Sequence, residues 1–411
     1  MTSRIEDAYR VDAGRILGAV AAYIGDLQLA EDAVHDAFLR ALAQERSGVR
    51  LDNPSAWITT AARRIAIDYV RRAQTAARAL PALAFETRPV RGSTGEDDMS
   101  AFAFTGDERL ELILMVCHPD VAEETRLGLA LRFVCGVPTR DVAAMLLVSE
   151  ATMAARLTRA KKRLHDSPLR FAMEDDAQVR ERMPDALVVI SLVYTAGYAA
   201  PTADTSGRLR RDAVDLARDA LRVCPGEAEA SGLLGLLLLT EARQSTRLDP
   251  AGELVDLATA DRRAWNRALI AEGESLATRA LQGGIGRFAL QAGIAGLHDI
   301  APTWESTDWP AIAQLYDGLV AVWPSPSARL GRLVARGYSA ELGPESARLE
   351  LDADDALFAG VLAAQAFAAR AEMDVRCGDE LAGRGDYAEA LARETDAAAR
   401  RYLQRRLDAL G

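Results

Sequence analysis

Between Ala30 and Leu42 the apolar residues Ala30, Ala33, Val34, Ala37, Phe38, Ala41 and Leu42 recur at steps of three and four. That spacing places them on one stripe of a helix but on both faces of a strand. The pattern returns downstream. Asn53–Pro54 offers an N-cap followed by a residue tolerated at the first helical position. Trp57, Ile58, Ala61, Ala62, Ile65 and Tyr69 then form an apolar helix face. Composition agrees: Ala, Leu and Arg dominate and aromatics are only 6%, which disfavours strands. The expected fold is all-α. A chain of 411 residues is too long for one core and should divide into domains.

Charge divides the chain as well. Residues 1–170 carry 23 basic and 23 acidic side chains, so residues 171–411 hold the whole net charge of −11. Two segments of the neutral part are basic. Residues 63–91 have seven arginines against two acids, and residues 140–170 have seven basic residues against three acids. A polyanionic partner would meet the first part, in two places. The two lysines of the protein, Lys161 and Lys162, lie in the second segment beside Arg156, Arg159 and Arg163.

That segment, "PTRDVAAMLLVSEATMAARLTRAKKRL" (138–164), has the layout of a helix-turn-helix. Thr139 is expected to cap a short helix with Val142, Ala143 and Leu146 inward. A tight connection follows at Leu147–Val148, and Ser149 caps a longer helix with Met153, Leu157 and Leu164 inward. A helix entering the major groove needs small or polar residues at its N-terminal end, as Glu150, Ala151, Thr152 and Ala155 are, and cations on its flanks, as Arg159, Lys162 and Arg163 are. If Leu147 requires positive φ, it costs on the order of 1 kcal/mol.

The expected organisation is a helical domain at 1–77, a linker at 78–105 rich in turn formers and acids, a second helical domain at 106–170, and a helical extension at 171–411. In the extension, Ala213, Ala217, Ala220 and Pro225, then Leu234, Gly235 and Leu238, then Gly378, Gly385, Tyr387 and Ala390 fit tetratricopeptide spacing. A plain helical bundle is the alternative.

Residues 1–170 resemble an RNA polymerase sigma factor of the extracytoplasmic-function type, within the sigma-70 family. "AEDAVHDAFLRAL" (30–42) resembles the polymerase-binding helix, "NPSAWITTAARRIAIDYVRR" (53–72) the helix at the −10 element, and the helix-turn-helix the −35 reader. The remainder resembles the long helical extension of one subgroup, with "DRRAWNRALIAEG" (261–273) and "WESTDWPAIAQLYDGL" (304–319) as its motifs.

The resemblance implies roles. Asp32, His35 and Asp36, on the solvent side opposite the alanine stripe, would meet the basic clamp of the largest polymerase subunit, with Phe38 and Leu39 adding apolar contact. Arg46, Arg50 and Asn53 would belong to the loop that captures a flipped base of the single-stranded −10 element, while Arg63, Arg64, Arg71 and Arg72 would hold phosphates. The −35 duplex would meet Arg140, Ser149, Glu150, Thr152, Ala155, Arg156, Arg159, Lys162 and Arg163. Four positions depart from the family pattern: Arg64 stands where Asn is frequent, Leu147 where a turn commonly has Gly, and Ala154 and Ala155 where polar residues are frequent. The implied function is binding of core RNA polymerase and promoter-specific initiation, with the extension regulating activity through contact with the sigma domains. A helical-repeat scaffold and a one-component helix-turn-helix regulator are the alternatives, and the 30–42 motif argues against both.

Other features lead elsewhere. Cys117–His118 with Cys135 lacks a fourth ligand, so core or cap roles are expected and no metal. "GGIG" (283–286) lacks a preceding strand and a Lys-Ser/Thr, and reads as a helix–helix turn. No nucleophile or paired-carboxylate arrangement stands out, so no enzyme and no cofactor is expected. Scattered cysteines and an N-terminus without an apolar signal region suggest a cytoplasmic protein.

Overall fold

The computed structural model describes residues 4–79, 108–166, 176–200 and 202–411, and these are helical, with one isolated β-bridge at Leu248–Leu254. The expected linker falls almost wholly on residues 80–107, outside the described residues. The chain forms two compact units, Met1–Cys224 and Pro225–Gly411.

In the first unit, α1 (Arg4–Ile24), α2 (Leu27–Arg46) and α3 (Pro54–Ala79) pack on one another. The stripe read from sequence is what α2 buries: Ala30, Ala33, Val34, Ala37 and Ala41 are inside, while Phe38 and Leu42 are half-buried. Asp26 caps α2 by accepting from the Leu29 N–H at 3.0 Å, and Asn53 caps α3 by accepting from the Ala56 N–H at 3.1 Å.

The second group is α4 (Glu108–Val116), α5 (Glu123–Leu129) running on as a π-helical turn to Val134, α6 (Thr139–Met145) and α7 (Glu150–Asp166). Val142, Ala143, Met153, Leu157 and Leu164 are buried, as the helix-turn-helix pattern requires. Two details differ from expectation. Thr139 does not cap α6: extended Pro138 holds the cap position, and Thr139 is the first helical residue. Leu146 ends that helix half-buried.

The first two helices of the expected extension, α8 (Asp176–Ala196) and α9 (Ala203–Val223), belong to this first unit and pack on α4. The arrangement explains an unusual segment. Leu110 through His118 are all buried, because α4 has α1 against it as well as α8, α9 and the π turn. A helix buried on every side, Glu111 included, needs neighbours on every side.

The second unit runs from α10 (Ala228–Ala242) through α11 (Arg267–Gly283), α12 (Arg287–Ile300), α13 (Trp309–Val322), α14 (Pro326–Tyr338), α15 (Gly343–Asp352), α16 (Asp355–Ala359), α17 (Ala363–Arg376) and α18 (Glu380–Arg393) to α19 (Ala397–Asp408). Most helices pack on the next in sequence, the nearest-neighbour order of a helical array. Trp304, Trp309 and Tyr338 meet as an aromatic cluster with ring centroids 4.7–5.1 Å apart. "GGIG" is the turn between α11 and α12. The Glu229 carboxylate accepts from the N–H groups of Phe288 and Ala289 at 2.9 and 3.0 Å, so the protein's own anion occupies that helix N-terminus.

Candidate nucleic-acid and polymerase interface

The turn of the helix-turn-helix is built on Leu147, which has φ +54° and is 93% exposed. Its conformation lets the Val148 N–H reach the Ala143 carbonyl at 3.0 Å. Ser149 caps α7 as expected, its Oγ accepting from the Thr152 N–H at 3.1 Å. Glu150, Ala151, Thr152 and Ala155 are exposed at the N-terminal end. Arg159, Lys162 and Arg163 are exposed further along, and Arg156 is half-buried. Arg156, Arg159 and Arg163 converge with Asp120 and Thr125 on a shallow cavity of about 90 Å³. Arg140 is exposed, 3.3 Å from Asp141.

Lys161 leaves this group. Its Nζ lies 2.7 Å from the Glu31 carboxylate of α2, and it sits over the Phe133 ring. The cationic stretch therefore splits into outward-facing residues and one lysine turned towards the first helical group. Arg132 also approaches Glu31, at 3.7 Å, and His165 Nδ1 meets Asp26 at 2.6 Å. Sequence reasoning missed Glu31, Asp26, Arg132 and His165 as a set. Glu31 stands inside the quoted 30–42 motif, yet its partner is 130 residues away, beyond any periodicity.

On α2, Asp32, His35 and Leu39 are exposed. Asp36 departs from the expected solvent-facing position: it is half-buried and accepts from the Tyr69 hydroxyl of α3 at 2.6 Å. That bond raises the Tyr69 pKa, with burial and the Asp36 charge acting the same way. Phe38 is half-buried and lines a cavity of about 350 Å³ together with Arg132 and Phe133. Arg46, Arg50 and Asn53 are exposed together around the α2–α3 loop. Arg64, Arg71 and Arg72 are exposed on α3, whereas Arg63 is half-buried with its guanidinium 6.0 Å from the centre of the Tyr23 ring.

Polar bonds tie α8 and α9 to the helix-turn-helix domain. Arg109 pairs with Asp212 at 3.0 Å and Arg126 with Asp185 at 2.6 Å. Arg182 donates to the Leu114 carbonyl at 3.4 Å, and Arg208 donates to the Cys135 carbonyl. Cys117 and Cys135 are buried, and burial pushes the Cys117 thiol up to about 12 and Cys135 higher. His118 is also buried and accepts from the Asp120 N–H at 3.1 Å, closing a turn. Among the described residues no His, Cys, Asp and Glu cluster is arranged to hold a metal ion.

Two helical domains with exposed arginines, one of them a helix-turn-helix, joined to a helical extension, define a nucleic-acid-binding class. The comparisons narrow it. Residues 9–76 match "Sigma-70 region 2" and residues 112–164 match "Sigma-70, region 4". Residues 182–281 match a "Family of unknown function (DUF6596)". An uncharacterized protein of Rhizobium meliloti (strain 1021) is 36% identical over 335 residues, 80% of this chain and 78% of the relative. The chain belongs to the sigma-70 family, as an extracytoplasmic-function type factor with regions 2 and 4 and a C-terminal helical extension. It is a sigma factor of transcription initiation, and regions 2 and 4 are the parts that bind core RNA polymerase and promoter DNA. No helix among the described residues is long and apolar enough to cross a membrane.

Proposed function

We propose that this cytoplasmic sigma factor docks Asp32, His35 and Leu39 of α2, with Phe38, on the clamp of the largest polymerase subunit, while Asp36 orders that face through Tyr69. Region 2 holds the opened −10 strand through Arg46, Arg50 and Asn53 and the arginines at 64, 71 and 72. Region 4 reads the −35 duplex with Ser149, Glu150, Thr152 and Ala155, and holds phosphates with Arg140, Arg156, Arg159, Lys162 and Arg163. The observation that carries this reading is the row of exposed cations flanking the small, polar N-terminal end of a capped α7. Selection of duplexes from a random pool by the protein with core polymerase is the test. Two enriched sequence blocks at fixed spacing are expected. A single block, enriched equally without polymerase, favours a one-component regulator.

We also propose that the extension supports activity by intramolecular contact, and that α8 and α9 are the supporting part. Without them one side of α4 would lie open to water, and the Arg109–Asp212 and Arg126–Asp185 pairs would be lost. Truncation after Arg170 should abolish activity, whereas truncation after Cys224 keeps every contact of the first unit. Full activity after truncation at Arg170 would contradict this.

A further inference from the structure

In the second unit the chain between α10 and α11 runs from Arg243 to Asn266, and none of residues 243–261 is buried. From Arg247 to Asp261 it forms no helix, and its one β-bridge joins Leu248 to Leu254. Stretches of that length without helix or strand are uncommon inside a compact unit and usually carry function. The loop holds its own shape: the Asp249 carboxylate accepts from the Ala251 and Glu253 N–H groups, each at 2.8 Å. Its acids reach the far end of the chain. Glu253 pairs with Arg401 and Arg405 of α19, the second at 2.6 Å, and Arg405 also donates to the Leu254 carbonyl at 2.9 Å. Asp256 accepts from the Tyr402 hydroxyl at 2.9 Å, with Arg406 4.0 Å away.

The two sides of this contact are held unequally. Leu403 anchors α19, buried with Tyr387 and Ala390 of α18, so the arginine face stays in place with or without the loop. The loop buries no residue, and the Arg401 and Arg405 side chains are 50% and 48% exposed, where ion pairs contribute little. Segments with few buried contacts open at low cost. Charge sets α19 apart as well. Residues 225–411 hold 28 acidic side chains against 19 basic, yet α19 carries four arginines against one acid, Asp408. From this we propose that Arg401, Tyr402, Arg405 and Arg406 form a docking site for an acidic segment of a partner protein. The 248–257 loop is the chain's own occupant, displaced when the partner binds. The loop shows the chemistry the site takes: two carboxylates three residues apart on non-helical backbone, with the main-chain carbonyl between them also bonded. A tethered occupant competes at an effective concentration on the order of mM, and apparent affinity falls with the fraction of sites left open.

The test uses the full chain and a labelled peptide, LDPAGELVDLAT, the sequence of residues 248–259, with binding read by fluorescence anisotropy. Glu253→Gln/Asp256→Asn neutralises the tethered occupant. The peptide should bind this variant at least about tenfold more tightly than it binds wild type. The same peptide with Gln and Asn in place of its Glu and second Asp should bind at least about tenfold more weakly. Adding Arg401→Gln/Arg405→Gln to the variant should remove binding of the acidic peptide, with thermal melts confirming that each protein is folded. A second readout needs no substitution: in wild type, excess acidic peptide should speed amide hydrogen exchange at 247–257 and leave α18 unchanged. If the neutralised variant binds the peptide no better than wild type does, or takes the charged and neutral peptides alike, the contact is only a clasp within the chain and the docking site is overturned. Exchange at 247–257 that excess peptide leaves unchanged overturns the displacement.

Discussion

Tyr69 on α3 donates its hydroxyl to Asp36 on α2 across 2.6 Å, so two acids four residues apart on one helix do different work. Asp32 is exposed and accepts from the Gln28 amide of its own helix at 3.2 Å. Asp32→Arg should therefore weaken core-polymerase association by about 2–5 kcal/mol through charge reversal at a buried interface, with an unchanged melting temperature. Asp36→Arg should lose affinity and also about 1–3 kcal/mol of stability, because the Tyr69 hydroxyl is left without its acceptor. Tyr69→Phe should cost about 1 kcal/mol of stability and, because it releases Asp36, weaken affinity, though less than Asp36→Arg does. Thermal melts paired with core-binding titrations separate the three. Equal melting of the two Asp variants would contradict the assignment.

Leu147 provides a test of backbone strain. It holds φ +54° with its side chain 93% exposed, so glycine there loses little packing. Leu147→Gly should stabilise the protein by up to about 1 kcal/mol, the cost of a left-handed non-glycine residue being removed. Promoter affinity should hold. A lower melting temperature would mean that the side chain packs in some way the exposure does not reveal.

The cationic stretch should divide under salt titration. Arg159→Ala and Lys162→Ala should each lower the slope of log affinity against log salt by about one, the signature of a lost phosphate contact. Lys161→Ala should leave that slope alone, since its ammonium is held by Glu31 at 2.7 Å. A drop in slope for Lys161→Ala equal to that for Arg159→Ala would place Lys161 on the DNA.

In the second unit, His298 and Asp299 set opposing pH dependences. Burial raises the Asp299 carboxyl to about 6, against the pull of Arg243, Arg262 and Arg267. Burial, with the charges of Arg243 and Arg262 acting the same way, lowers His298 to about 4. Asp299 binds more protons folded than unfolded between pH 4 and 6, so its contribution to stability falls as pH rises. His298 binds fewer protons folded, so its contribution rises between about 4 and 6.5. Asp374, also raised to about 6 by burial, adds to the falling side. Asp299→Asn should make stability rise more, or fall less, across this window than in wild type. His298→Gln should make it fall more steeply, each change being at most about 1.4 kcal/mol per pH unit. Chemical denaturation of the full chain at several pH values reads both slopes, and slopes unchanged by either variant would contradict the burial of these groups.

Legibility followed the range of the physics. The helical stripes of α2, α3 and α7 were readable because a 3.6-residue period marks a buried face within ten residues. The helix-turn-helix was readable down to its Ser149 cap and its strained Leu147. Thr139 was misplaced by one position: the chain enters α6 at Pro138, whose fixed φ suits a helix start, so Thr139 falls inside the helix. The Asp36–Tyr69 bond and the Glu31–Lys161 pair join residues 33 and 130 positions apart, and no local pattern encodes such a pairing. The packing of α8 and α9 on α4 was equally hidden. Nothing in the sequence named α8 and α9 as the helices that cover Leu110–Val116 of α4.

The central claim is tested most directly by in vitro transcription. Purified core polymerase, with or without this protein, would be given a library of random DNA fragments, and the 5′ ends of the transcripts sequenced. The account predicts transcripts that start, only when the protein is present, downstream of two shared sequence blocks at fixed spacing, and that vanish with Asp32→Arg while the variant stays folded. Transcript starts that are the same with and without the protein would contradict it.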